Sequence, residues 1–148
     1  MAIRHFIRLL VVQSLYEWFF NNQDGNLKEI FERNLNEFGQ DIADPSFGYR
    51  LIEGIQKNLS LIEEKIKKYA DPQWPIDEIP LINLAILRLS IYELLFSDPQ
   101  EVPPKVAINE ALELASHLST EESLKFINGV LASVFKEKYG TLPESNTL

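Results

Sequence analysis

Side chains able to do chemistry are few in this chain of 148 residues, and their spacing narrows what they can do. There is no cysteine, which removes disulfides, zinc ribbons and thiol nucleophiles. The two histidines, His5 and His117, stand at no metal-ligand spacing to each other or to a carboxylate pair. His117 lies one helical turn after Glu113, the spacing of a surface ion pair. No glycine-rich phosphate loop occurs and no serine is marked as activated. These residues therefore predict no catalysis, no cofactor and no metal site. Contact chemistry remains. Arg4, His5 and Arg8 open the chain, Lys105 adds a cation further on, and Lys125 stands beside Phe126. Single-stranded RNA is held by cations along its phosphates and by aromatic faces on which bases stack. These residues are of those types. Arg4 and Arg8 can equally be two exposed arginines near a helix start, and Phe126 can equally be core.

The charge distribution supports a local rather than a broad anionic contact. The net charge of −8 argues against general adhesion to nucleic acid, which depends on neutralising phosphates. Residues 1–16, however, carry Arg4, His5 and Arg8 and no acid, while the rest holds 12 Lys and Arg against 22 Asp and Glu. An anionic partner should be met at the start of the chain or by local lysines. The acidic remainder suits a basic protein partner or a solvated surface. Arg4, His5, Arg8 and Glu17 interrupt the apolar N-terminus and no small-residue cleavage site follows. Neither a signal peptide nor a membrane span is expected, and a cytoplasmic location follows as an expectation.

The elements that must position these residues are all helical. Ile3, Phe6, Ile7, Leu10, Val11, Ser14, Leu15 and Trp18 keep the 3-4 spacing of a buried stripe, predicting a helix over 3–21. Leu9, Val12, Phe19 and Phe20 widen that surface, so this helix is either central or covered by another chain, a second copy included. A second helix is expected over 27–38, closed by Gly39. Asp44-Pro45 signals the start of a third, running unbroken to about Ala70 with Gly54 at a tight crossing. Asp71-Pro72-Gln73-Trp74-Pro75 breaks the chain. One helical turn follows at 76–80, and then a helix over 80–96 so apolar all round that it should be central. Arg88 in such surroundings should be paired. A helix over 105–118 and another that starts after Ser119-Thr120-Glu121-Glu122 and ends near Tyr139-Gly140 complete a single all-α domain, 1–140. Its sub-bundles are expected at 1–71 and 76–140, with a tail over 141–148.

Val106 to Val134 is the most informative stretch. Within its second helix, Phe126, Ile127, Val130, Leu131, Val134 and Phe135 run straight through Asn128-Gly129. Glycine inside a helix costs about 1 kcal/mol relative to alanine, so Gly129 suggests a close approach of another backbone. The run Lys105 to Ala111, followed by Lys125-Phe126-Ile127-Asn128-Gly129-Val130-Leu131, resembles the C-terminal signature of the NusB family of bacterial transcription antitermination factors. The resemblance extends to Ala85–Leu89, Ile91–Leu95 and Gln13–Tyr16, in the same order and over nearly the whole chain. It implies two helical bundles packed together. It also implies binding of boxA-type leader RNA together with NusE, a small-subunit ribosomal protein, on elongating RNA polymerase, in support of rRNA transcription. The family's arginine-rich start maps onto Arg4, His5 and Arg8, with Phe6 at a usually basic position. Lys125 and Phe126 match its segment near RNA and NusE. Tyr16, Asn83 and Glu122 match its protein-contact surface, Asn83 standing where an acid is usual. The alternative is a self-associating interaction module with little RNA affinity.

Overall fold

The computed structural model describes residues 2–70 and 74–141. The break read at Asp71-Pro72-Gln73, and the expected tail apart from Thr141, lie outside them. Among the described residues there are seven α-helices and no strand: α1 (Ala2–Phe20), α2 (Leu27–Phe38), α3 (Ser46–Lys57), α4 (Leu59–Tyr69), α5 (Leu81–Phe96), α6 (Pro104–Leu118) and α7 (Glu121–Tyr139), with a short 3-10 turn at Ile76–Glu78. No described helix is long and apolar enough to cross a membrane.

The central position of α5 follows from its sequence. Every residue from Asn83 to Ile91 is buried, because α1, α3, α4, α6 and α7 all pack around it. The fold is two packed helical groups, α1 with α2 and α3, and α5 with α6 and α7. Ile7, Leu15, Ile55, Leu87, Ile108 and Leu131 belong to one continuous core. Helix α4 lies on α5 and α7, with a smaller contact to α3. Arg88 is paired as expected: its Nε donates to Glu63 Oε2 at 3.1 Å and its guanidinium covers the Phe19 ring at 3.5 Å.

Two readings of glycine and helix continuity come out differently. The helix expected over 44–70 is two helices, α3 and α4, divided at Asn58. The Asn58 side-chain amide donates to the Gly54 carbonyl at 2.8 Å, capturing an acceptor of the helix ladder. Both helices face α5, so the apolar spacing runs on across the break. Gly54 does sit at a tight crossing, since a Cβ there would overlap the Tyr92 ring of α5. Gly129 does not. It is exposed, and a Cβ there would meet nothing within 4 Å. The signature glycine of α7 faces open space, not a crossing helix.

Candidate nucleic-acid and partner interface

The start of α1 divides its basic residues between core and surface. Ile7, Leu10 and Val11 turn one face of α1 to the core, and Arg8 follows them inward at 2% exposure. Its Nε donates to both Glu93 carboxylate oxygens, at 3.0 and 3.2 Å, and its Nη2 donates to Oε2 at 2.9 Å. Its Nη1 lies 3.4 Å from Glu110 Oε1. Burial pushes the Glu93 carboxyl up and the Arg8 hydrogen bonds hold it back. Arg8 therefore joins α1 to α5 and α6 from inside. The expected phosphate contact at this residue is corrected, because a guanidinium locked between two carboxylates cannot reach a ligand without breaking them.

Arg4 and His5 stay at the surface. The Arg4 guanidinium lies 4.2 Å from the Phe47 ring centroid, its Nη1 donates to the Glu101 carbonyl at 3.4 Å, and its Nη2 is 3.9 Å from Glu101 Oε1. His5 Nδ1 is hydrogen-bonded to Glu110 Oε2 at 2.5 Å, and its Nε2 is 3.9 Å from Glu113 Oε1. Glu113 thus faces His5 on α1 rather than forming the ion pair expected with His117. One ligand-type atom each from His5, Glu110 and Glu113 lie within 4.8 Å of one another. The buried cation Arg8 already stands against Glu110, which weakens that group as a seat for a metal ion. Lys105 is exposed in the first turn of α6, between Glu101 and Glu110 in sequence. Arg4 and His5 are thereby set against the loop before α6 and against α6 itself, while Lys105 is exposed on the first turn of α6.

Lys125 and Phe126 lie elsewhere. Lys125 is exposed on α7, and Phe126 is half-buried with its ring against Trp74, centroids 4.6 Å apart and planes at 64°. The ring is thus part of the packing against Trp74 without being fully buried.

Of the three residues matched to a protein-contact surface, two are exposed. Tyr16 stacks on Phe20 with centroids 6.1 Å apart, and Phe20 is 64% exposed. Tyr16 also lines an open groove of about 470 Å³ with Leu9, Leu81, Ile82 and Leu118. Glu122 is exposed in the first turn of α7. Asn83 is fully buried, so its expected direct contact is corrected. Its Nδ2 donates to Ser123 Oγ at 2.8 Å and its Oδ1 accepts from Ser119 Oγ at 2.7 Å. It fixes the α6–α7 turn from which Glu122 projects. Sequence reasoning missed Glu93, Glu101, Glu110, Phe47 and Arg50, for no local pattern ties them to residues 4–8.

The family model described as the NusB family matches residues 5–136. The chain belongs to the NusB family. Among its NusB relatives, the transcription antitermination protein NusB of Thermodesulfovibrio yellowstonii is 42% identical over 119 residues, which cover 80% of this chain and 76% of that protein. The solved NusB of T. maritima superposes with a TM-score of 0.80 at 36% identity, covering 90% of this chain and 91% of that one. A NusB solved together with NusE and dsRNA superposes with a TM-score of 0.78 at 24% identity, covering 93% and 98%, a likeness of fold.

Proposed function

We propose that this protein is an RNA-binding transcription antitermination factor. It takes boxA-type single-stranded leader RNA together with NusE on elongating RNA polymerase, and it works by contact without catalysis. The observation that carries the reading is the family match over nine-tenths of the chain, to relatives named for antitermination. The surface geometry is compatible with it. Arg4, His5 and Lys105 offer donors to phosphates at the starts of α1 and α6, and Lys125 with the half-buried Phe126 offers a second contact on α7. The apolar groove beside Tyr16, with Glu122, is the face for NusE.

Titration of boxA RNA in the presence of NusE tests it. Arg4→Ala should weaken binding and reduce the log–log salt slope by about 0.7, the contribution of one single-strand phosphate contact. Tyr16→Ala should weaken the pairing with NusE. Absence of RNA binding at low salt, with and without NusE, would overturn the reading. The exposed Phe20 and Tyr16 favour a second reading, in which another copy of this chain covers the same face. A concentration-dependent dimer that Phe20→Ser abolishes would support that one.

A further inference from the structure

Phe47 of α3 gathers three guanidinium groups around one ring. Arg4, Arg8 and Arg50 lie 4.2, 5.0 and 5.8 Å from its centroid. Arg8 has Glu93 to itself and shares Glu110 with His5. Arg4 and Arg50 share a single carboxylate, that of Glu101. Arg50 Nη2 donates to Oε1 at 2.8 Å, and Arg4 Nη2 lies 3.9 Å from the same oxygen. Unlike the Arg8 pair, these side chains reach solvent, with Arg50 52%, Glu101 41% and Arg4 34% exposed.

One anionic oxygen between two arginines on an aromatic platform is how a phosphate oxygen would be held. We propose that Arg4 and Arg50 form a phosphodiester site on Phe47, that Glu101 occupies it in the free protein, and that an RNA phosphate displaces Glu101 on binding. The inference rests on the RNA-binding reading above and adds to it a second phosphate ligand and an internal competitor. Glu101 is suited to leave. It stands in the loop between α5 and α6, and exposed ion pairs are weak and screened by salt. The two guanidiniums left behind repel each other, so the emptied site demands an anion. Arg50 also borders a cleft of about 150 Å³ with Tyr92, Phe96 and Asp98. Phe96 is 37% exposed and stacks on Tyr92 at 5.8 Å, placing an aromatic face beside the cations, as single-stranded nucleic acid requires. The other acid there, Asp98, is engaged in its own turn, accepting from the Gln100 amide at 2.9 Å.

The test titrates boxA RNA with NusE against wild type, Glu101→Gln, Arg50→Ala, the double variant, and Glu64→Gln on α4 as a control of equal charge change. Glu101→Gln should bind about two- to fivefold more tightly at low salt, the range spanned by one exposed ion pair. Arg50→Ala should bind more weakly than wild type, and in its background Glu101→Gln should gain less. Should wild type bind RNA while Glu101→Gln gains no more than Glu64→Gln, or Arg50→Ala match wild type, the proposal is overturned and the RNA-binding reading stands. Should wild type bind no RNA with or without NusE, both fall.

Discussion

Gly54 and Gly129 both lie inside helices, yet a methyl group added at each meets opposite surroundings. At position 54 it lands on the Tyr92 ring, which is half-buried and stacked on Phe96. Gly54→Ala must push that ring aside and should destabilise the protein by about 1–3 kcal/mol, as overpacking does. At position 129 the same methyl meets nothing within 4 Å, on the exposed side of a regular helix. Gly129→Ala should therefore stabilise by about 0.5–1 kcal/mol through the unfolded chain and helix propensity alone. Urea unfolding of both variants reads the two signs directly. A destabilised Gly129→Ala would contradict the open surroundings. Asn83 makes a related point about chemistry matched by position: its amide spans Ser119 and Ser123 inside the fold and can act on a partner only through the turn it holds.

Among the elements, α4 and α7 are joined at one carboxylate. Glu137, in the last turns of α7, accepts hydrogen bonds from Lys65, Lys68 and Tyr69 of α4, the Lys68 contact being 2.8 Å. The Lys65 bond above all, then those of Lys68 and Tyr69, draws its pKa from 4.5 down to about 2. A folded value below the unfolded one means that its stabilising contribution is whole above the ordinary carboxylate range. That contribution is lost as pH falls through about 2. Glu137→Gln should lower the thermal midpoint at pH 7 and low salt. The gap to wild type should close as pH falls from 4.5 toward 2 and shrink in salt, because the pairs are exposed and screened. A gap that persists at pH 2 would assign the effect to packing instead. Such helix-to-helix ties were not legible in the sequence, because Lys65 and Lys68 lie 72 and 69 residues before Glu137 and no local spacing links them. Periodicity did carry the helices themselves, including α5 as the central one and Ile127, Val130, Leu131 and Val134 as the buried face of α7. It could not see the division at Asn58, since both flanking helices present the same face to the same core. Nor could it separate Arg4 from Arg8. They share a helix edge by spacing, and only Glu93, 85 residues further on, decides that one of them is core.

At the scale of the molecule, the two helical groups meet along α1 and α5, and the Arg8–Glu93–Glu110 cluster lies in that junction. A buried ion pair adds modest net stability against an apolar replacement, but removing one partner strands the other's charge. Arg8→Ala leaves Glu93 buried without its guanidinium and should cost about 3–5 kcal/mol, a large share of a small domain's stability. Replacing both partners by apolar residues of similar size, Arg8→Met with Glu93→Leu, should recover part of that loss, with Glu110 left to its hydrogen bond with His5. Arg4→Ala removes an exposed cation and should leave the unfolding midpoint within about 0.5 kcal/mol of wild type. The same two substitutions, one residue type and one helical turn apart, thus separate folding from binding. Denaturant unfolding and RNA titration on the folded fraction give the readout. Arg8→Ala should lose stability with RNA affinity little changed per folded molecule, whereas Arg4→Ala should lose affinity at unchanged stability. If Arg8→Ala instead keeps its stability while its RNA salt slope falls, Arg8 leaves the core to meet phosphate, and the junction is held by apolar packing alone.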